Sequence, residues 1–242
     1  MKERTCMDPL DAANRAWGLG SLTHAAASLF FGVLVIVLLI VLCVGVFFWW
    51  RKRRSDARKR WAASHGLRFV TTDKALGKRT RGIYGLPGMR HTGRDVIVVP
   101  AAAGSALYYE VTWVEWHGDN DVEMERCSFL RYPLPGFFPR MHIKPEGVFG
   151  LANNDVNTEW QAFNREFDVK SEDERAAHAL LTGPMQEFLM ARMRGLHIEF
   201  SGNEAFIVLG DYNPENSIAY AGLMNEWLAV VPRFFFSAAP TR

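Results

Sequence analysis

The sequence has few cysteines and lacks the catalytic and ligand-binding motifs that residue spacing can reveal. Its three cysteines, Cys6, Cys43 and Cys127, lie before, within and after one long apolar stretch. So dispersed, they form neither a disulfide framework nor a structural zinc site. The phosphate-loop and nucleophile-elbow patterns are also missing. The sequence therefore indicates no cofactor, no metal and no particular reaction.

The histidines and the acidic turn of the chain do not have the spacing of a metal site. None of the seven histidines has another four residues away. The run 119–123 alternates oxygen-bearing side chains, but Met124 and Leu130 stand where a calcium loop needs Gly and Glu. This run predicts a solvated hairpin tip. An enzyme whose site is assembled from residues far apart in the sequence stays open as the alternative.

Charged residues are absent from Leu29 to Trp50, a run of 22 residues. As a helix this run is about 33 Å long, which suffices to cross a hydrocarbon core of about 30 Å. A cleaved signal peptide would have a shorter apolar core, a basic start and a small-residue cleavage site. Arg-Lys-Arg-Arg follows the run instead. We therefore predict a permanent transmembrane helix over 29–50.

The distribution of cations around this run predicts its orientation. Three cations precede it, whereas seven lie between Arg51 and Arg60. Lys and Arg near a span stay on the cytoplasmic side, so we expect an outside amino terminus and a cytoplasmic carboxyl-terminal domain at the cell membrane. The basic run also suits anionic lipid head groups. The predicted membrane-anchoring residues are Trp49, Trp50, Arg51, Lys52, Arg53 and Arg54.

The rest of the chain has no basic surplus. Residues 61–242 carry 18 Lys and Arg against 22 Asp and Glu, which argues against a nucleic-acid partner. About 180 residues are enough for one hydrophobic core. Arg outnumbers Lys by 21 to 7, a composition that hints at a bacterial source.

Short apolar runs with period two predict a mainly antiparallel sheet. The best strand is 106–116, and after the predicted hairpin tip the chain returns antiparallel to it over 122–132. The proline-spaced segment 133–145 predicts at most a short or edge strand at 140–144. We expect a second hairpin at Gly202-Asn203 and a turn at 77–82.

Helical patterns follow in the second half of the chain. Gly66 is expected to end the helix that continues from the span, and Pro184 to open a later helix. The fold class is therefore α+β: one transmembrane helix, then a soluble domain of antiparallel sheet and packed helices. The predicted divisions are an extracytoplasmic tail (1–28), the transmembrane helix (29–50), a basic juxtamembrane helix (51–66) and a cytoplasmic domain (67–242).

Aromatic residues on both faces of strand 106–116 suggest how the domain acts. If one face is core, Tyr108 and Trp116 on the other are either covered by helices or form an exposed interaction surface. On the same strand, Glu110 and Glu115 are expected to pair with Arg126 or Arg131 across the hairpin. The predicted function is a membrane-tethered interaction or scaffold module with a protein partner.

One stretch of the chain resembles a known family. Residues 163–169 read FNREFDV, and an acidic helix start and LLTGPM at 180–185 follow. This pattern resembles bacterial domain-of-unknown-function proteins, which couple one or two membrane spans to a cytoplasmic α+β domain. The resemblance implies membrane anchoring and this fold, and it implies no activity.

Overall fold

A computed structural model describes residues 9–84, 89–116, 122–146, 156–210 and 212–237. Its first element is helix α1 (Pro9–Ser64), in which every side chain from Phe31 to Trp50 is exposed. A helix that is apolar on all sides suits a lipid environment. By length and composition, Phe31–Ser64 is able to cross a membrane. The predicted hairpin tip at 117–121 lies outside the described residues.

The end of α1 has the predicted glycine cap. Gly66 has a φ of +66°, and the Leu67 amide donates to the Ala62 carbonyl over 2.8 Å. The Gly66 amide donates to Ala63 over 3.1 Å. These are the hydrogen bonds of a left-handed helix terminus, so the predicted end at Gly66 is confirmed.

The chain divides into two compact units, Met1–Arg54 and Ser55–Arg242. The second unit thus begins inside α1, within the segment predicted as the basic juxtamembrane helix (51–66). Its six-stranded antiparallel sheet has the order β1-β2-β3-β4-β5, and β6 pairs with β4. The strands are β1 (Arg68–Asp73), β2 (Met89–Ala101), β3 (Gly104–Trp116), β4 (Val122–Pro145), β5 (Phe167–Ser171) and β6 (His197–Leu209).

Six further helices accompany this sheet in the described residues, which confirms the α+β class. They are α2 (Lys74–Tyr84), α3 (Gln161–Asn164), α4 (Glu174–Leu180), α5 (Gly183–Arg192), α6 (Glu215–Val230) and α7 (Phe234–Ser237). The main core lies on the sheet face that α3 to α7 and the end of α1 cover, with Trp227 of α6 fully buried in it. A smaller core on the other face joins Leu76 of α2 to Tyr109, Val111 and Phe129.

The proline-spaced segment is not an edge strand, and that prediction is wrong. Met141 of β4 pairs with Ser171 of β5 on one side and with Phe200 of β6 on the other. Proline cannot donate to a strand ladder. Pro135 and Pro139 lie where the β4–β6 register shifts, between Pro133 and Met141, so β4 continues through them as a bent central strand.

The predicted hairpin at Gly202-Asn203 is also wrong, because β6 is one continuous strand. Gly202 has a φ of +63° and lies opposite Phe138, at the irregular part of β4. The glycine allows β6 to bend together with β4, so both halves of β6 pair with the same partner. The Gly202-Asn203 pair, which is typical of a hairpin turn, forms a bend within strand β6 instead.

The turn expected at 77–82 is part of helix α2. The Asp73 carboxylate accepts a hydrogen bond from the Leu76 amide over 3.0 Å and so caps the helix. A Cβ atom at Gly77 would lie 2.7 Å from the Thr92 Cα, so glycine is needed for the close approach of helix and strand. Packing against β2 thus stabilises a helix here, although the segment contains Gly77 and Gly82.

Candidate functional site

Arg58, near the end of α1, differs from the other six cations of the basic run because it is buried, with 8% of its surface exposed. Its guanidinium forms an ion pair with the Asp95 carboxylate of β2. A second nitrogen lies 3.7 Å from the Glu110 carboxylate of β3. The guanidinium carbon also lies 3.8 Å from the centre of the Tyr212 ring, a cation–π contact.

Asp95 is held in an unusual backbone conformation at this site. Its φ is +50°, in the left-handed region, and it lies where the β2–β3 register shifts. Such a conformation costs on the order of 1–3 kcal/mol and persists only where neighbouring contacts impose it. Ser55 donates to the Asp95 carboxylate over 2.7 Å, and the Tyr212 hydroxyl donates to the Asp95 carbonyl over 2.6 Å. We call Ser55, Arg58, Asp95, Glu110 and Tyr212 the Arg58 network.

The Arg58 network joins the end of α1 to β2, β3 and the segment that precedes α6. Burial raises the pKa of the Tyr212 hydroxyl, which therefore stays a neutral donor. The Arg58 guanidinium lies between the Asp95 and Glu110 carboxylates and is the cation that both of them contact. Breaking such a buried pair leaves a charge without compensation, which is strongly destabilising. The arrangement is suited to holding elements together.

The interaction-surface hypothesis is wrong for Tyr108, which is fully buried. Its ring packs 4.8 Å from that of Tyr212, and its hydroxyl accepts a hydrogen bond from the Asn213 amide over 3.0 Å. The start of α6 therefore covers this part of the sheet face. The Trp116 side chain lies outside the described residues.

An apolar row that is exposed at both ends and half-buried in the middle crosses the end of the sheet on the same face as Tyr108. Met89 of β2 pairs with Val114 of β3, which pairs with Met124 of β4. Met89 is 52% exposed and Met124 is 64% exposed. We call these three residues the apolar row.

Among the described residues, neither Glu110 nor Glu115 forms an ion pair with Arg126 or Arg131, so that prediction is wrong. Glu110 points to the main-core face and contacts Arg58, whereas Arg131 lies on the opposite face. There Arg131 donates to the Glu204 carboxylate over 2.7 Å, and Arg79 of α2 contacts Glu204 at 2.7 Å. The strand's odd–even alternation separates Glu110 from Arg131.

A polar cluster lies further along that opposite face, on β4, β5 and β6. The buried Asp168 lies 2.8 Å from Lys144, and the buried Glu199 lies 3.1 Å from Arg140. His142 lies 3.8 Å from Glu199 and stacks edge-on with His197. The sequence did not reveal this cluster, because its members come from three separate strands.

Both histidines of the polar cluster are neutral at neutral pH. Burial lowers the pKa of His142, and burial together with His142 lowers the pKa of His197 to about 4. Within the described ranges, no three His, Cys, Asp or Glu side chains are arranged to hold a metal ion. The Asp168–Lys144 and Glu199–Arg140 contacts of this cluster are cross-strand ion pairs of the kind that stabilise a sheet.

The predicted anchoring residues lie on α1 with cations directly beside aromatic rings. The Arg53 guanidinium lies 5.2 Å from the Trp49 ring, and that of Arg54 lies 4.8 Å from the Trp50 ring. Within each pair the two residues are four positions apart, so the cation and the ring lie on the same face of the helix. Each pair combines an aromatic ring with a charged guanidinium, a combination suited to the boundary between the hydrocarbon core and the lipid head groups.

The motif at 163–169 is explained by packing. Phe163, Phe167 and Val169 are buried in the main core. The Asn164 side chain accepts from the Thr158 amide over 3.0 Å and donates to the Thr158 carbonyl over 2.8 Å. These residues fix a turn before β5, so their role here is structural.

No protein-family model matches this chain, and no curated protein matches its sequence. Among solved structures, it is similar to the crystal structure of the mycobacterial trehalose monomycolate transport factor A, TtfA. The TM-score is 0.51, the sequence identity is 16%, and the similarity covers 74% of this chain and 96% of that chain. At this identity the similarity shows a shared α+β fold.

Proposed function

We propose that this chain is a single-pass protein of a bacterial cell membrane, and that its cytoplasmic domain is an interaction or scaffold module. In this proposal the amino terminus is outside, and Trp49, Trp50 and Arg51 to Arg54 contact the membrane edge and its anionic lipids. The module serves as an accessory part of a membrane assembly.

The Arg58 network is the observation that carries this proposal. Because Ser55 and Arg58 are packed into the domain, little free chain separates the domain from the apolar helix. The five residues from Trp50 to Ser55 span at most about 18 Å even when fully extended. A long flexible linker would allow a domain to move far from the membrane, whereas this short connection keeps the domain at the membrane surface.

The fold similarity supports an accessory role. The similar structure is that of a transport factor. A chain with a membrane helix and this fold fits the same kind of role. We also retain, as part of the proposal, membership of the bacterial domain-of-unknown-function family that the 163–185 motifs resemble.

The apolar row is the surface that we propose for a protein partner. Met89, Val114 and Met124 are adjacent across three strands, so they form one continuous patch. Contiguous exposed apolar side chains are more informative than single ones, which are common on any surface. The row takes the place of Tyr108 in the predicted interaction surface.

Photo-crosslinking in intact cells tests this function. We expect a full-length chain carrying a photoreactive amino acid at Met124 to yield a discrete adduct with a membrane protein. The matched control carries the same group at Glu187, an exposed residue of α5, and should yield none. Replacing the apolar stretch by an unrelated transmembrane helix should preserve the adduct, because the row belongs to the domain.

The proposal is contradicted if neither Met89 nor Met124 yields an adduct and the purified chain sediments as a monomer. Equal adducts at Met124 and Glu187 would also count against it, because they would reflect random collision in the membrane.

A further inference from the structure

Helix α2 carries a row of cations without any acidic residue. Its sequence, KALGKRTRGIY, contains four Lys and Arg and no Asp or Glu, although residues 61–242 as a whole are richer in acids. Lys74, Lys78 and Arg81 are exposed, and they follow the i, i+4, i+7 spacing of one helix face. None of these three cations forms an ion pair within the part of the chain that the structure describes. We call them the α2 stripe.

The packing of α2 against the sheet keeps the side chains of the α2 stripe on the solvent-exposed side of the helix. Gly77 lies against the backbone of Thr92 and Gly93, where any side chain would collide. Thr80 is buried and hydrogen-bonded to the Tyr109 hydroxyl over 2.7 Å. The inner face is thereby committed to the sheet, so α2 cannot rotate its cations inward. Arg79, beside the stripe, is held by Glu204 and is already paired.

The position of α2 places the stripe near the point where the chain enters the domain. Gly77 packs at Thr92 and Gly93 of β2, while Ser55 and Arg58 contact Asp95, two residues further along the same strand. The end of α1 lies on the main-core face of the sheet and α2 lies on the other. Helix α2 and the end of α1 thus pack at the same level of the sheet, on its opposite faces.

We propose that the α2 stripe binds the anionic head groups of the bilayer in which the chain is anchored. This inference rests on the proposed membrane anchoring and adds a second lipid contact, made by the domain itself. Charge complementarity favours this occupant, since Lys and Arg clusters beside a membrane are attracted to anionic lipid. The short connection from Trp50 to Ser55 keeps α2 within reach of the same surface.

The test uses the full chain in lipid nanodiscs, with its three cysteines replaced by serine and a fluorophore attached at Ala75→Cys on α2. A lipid spin-labelled on its head group serves as the quencher. We expect quenching to be stronger when about one-third of the lipid is anionic than when all of it is zwitterionic. High salt should remove the difference, since it screens these charges.

The triple variant Lys74→Gln, Lys78→Gln, Arg81→Gln should lose this lipid-dependent quenching. Its thermal unfolding should be unchanged, because all three side chains are exposed. A fluorophore at Glu187→Cys on α5 is the matched control and should show the same quenching in both lipids.

Equal quenching at Ala75 in both lipids overturns the α2 inference and leaves the anchoring proposal standing. Failure of the chain to enter nanodiscs overturns both. Loss of the Met124 adduct in the triple variant, without any lipid dependence at Ala75, would also overturn the inference and assign the stripe to an acidic protein partner.

Discussion

Replacing Arg58 by alanine should lower the free energy of unfolding of the domain by about 3–5 kcal/mol, because it leaves the buried Asp95 and the half-buried Glu110 without their cation. Asp95 and Glu110 both face Arg58 in the interior. The loss also removes the cation–π contact with Tyr212. Urea unfolding of the detergent-solubilised full chain, followed by tryptophan fluorescence, measures the effect.

Arg60→Ala is the matched control for Arg58→Ala. Arg60 lies on the same helix and is exposed, so its replacement should change stability by less than about 0.5 kcal/mol. In the Arg58→Ala background, Asp95→Asn should cost less than it does in the natural chain, because the two residues are coupled. Equal effects of Arg58→Ala and Arg60→Ala would show that the network contributes nothing to stability.

Trp227→Ala should be comparably destabilising, at about 3–5 kcal/mol, because it creates a large cavity in the main core. Trp227 is fully buried, and its ring packs 5.1 Å from that of Phe200 and 5.8 Å from that of Phe138. Typical domains have only about 5–15 kcal/mol of stability, so this variant should unfold at much lower denaturant concentration. The same urea unfolding experiment measures it.

Trp160→Ala provides the control for removing a tryptophan ring. Trp160 is 38% exposed and lies before α3, so its truncation leaves a smaller cavity. We expect it to cost clearly less than Trp227→Ala. If the two variants unfolded at the same urea concentration, the main core would not be centred on α6 as described.

Features with a strong local signal could be predicted from the sequence. The apolar stretch, the helix end at Gly66 and strand β3 depend on hydropathy, a glycine and a period of two within a few residues. The α+β class follows from such elements in order. These signals act over short distances along the chain, so no knowledge of the packing is needed to recognise them.

The elements that were predicted wrongly depend on packing against distant strands. Gly202-Asn203 has the composition of a hairpin turn, but β4 pairs with both halves of β6 and keeps the strand continuous. Gly77 reads as a helix breaker, yet it permits α2 to approach β2. In both places the glycine is needed for packing against a strand that is distant in the sequence, so the neighbouring residues alone do not reveal its role.

The Arg58 network could not be found from the sequence for the same reason. Arg58 is one of seven cations in a run, and Asp95 lies 37 residues away. The available signal was the spacing of Ser55, Arg58 and Ala62 on one helix face, which marks a side of α1 turned toward the domain. That spacing indicates contact, but it does not identify the partner strands.

A dual-reporter measurement of topology tests the central claim most directly. Alkaline phosphatase fused after Arg242 should be inactive and a fluorescent protein fused there should be bright, because seven cations follow the apolar stretch and three precede it. Neutralising Arg51, Lys52, Arg53 and Arg54, while keeping the buried Arg58, should give mixed orientations. Active phosphatase and a dark fluorescent protein at this position would contradict a cytoplasmic domain held at the membrane.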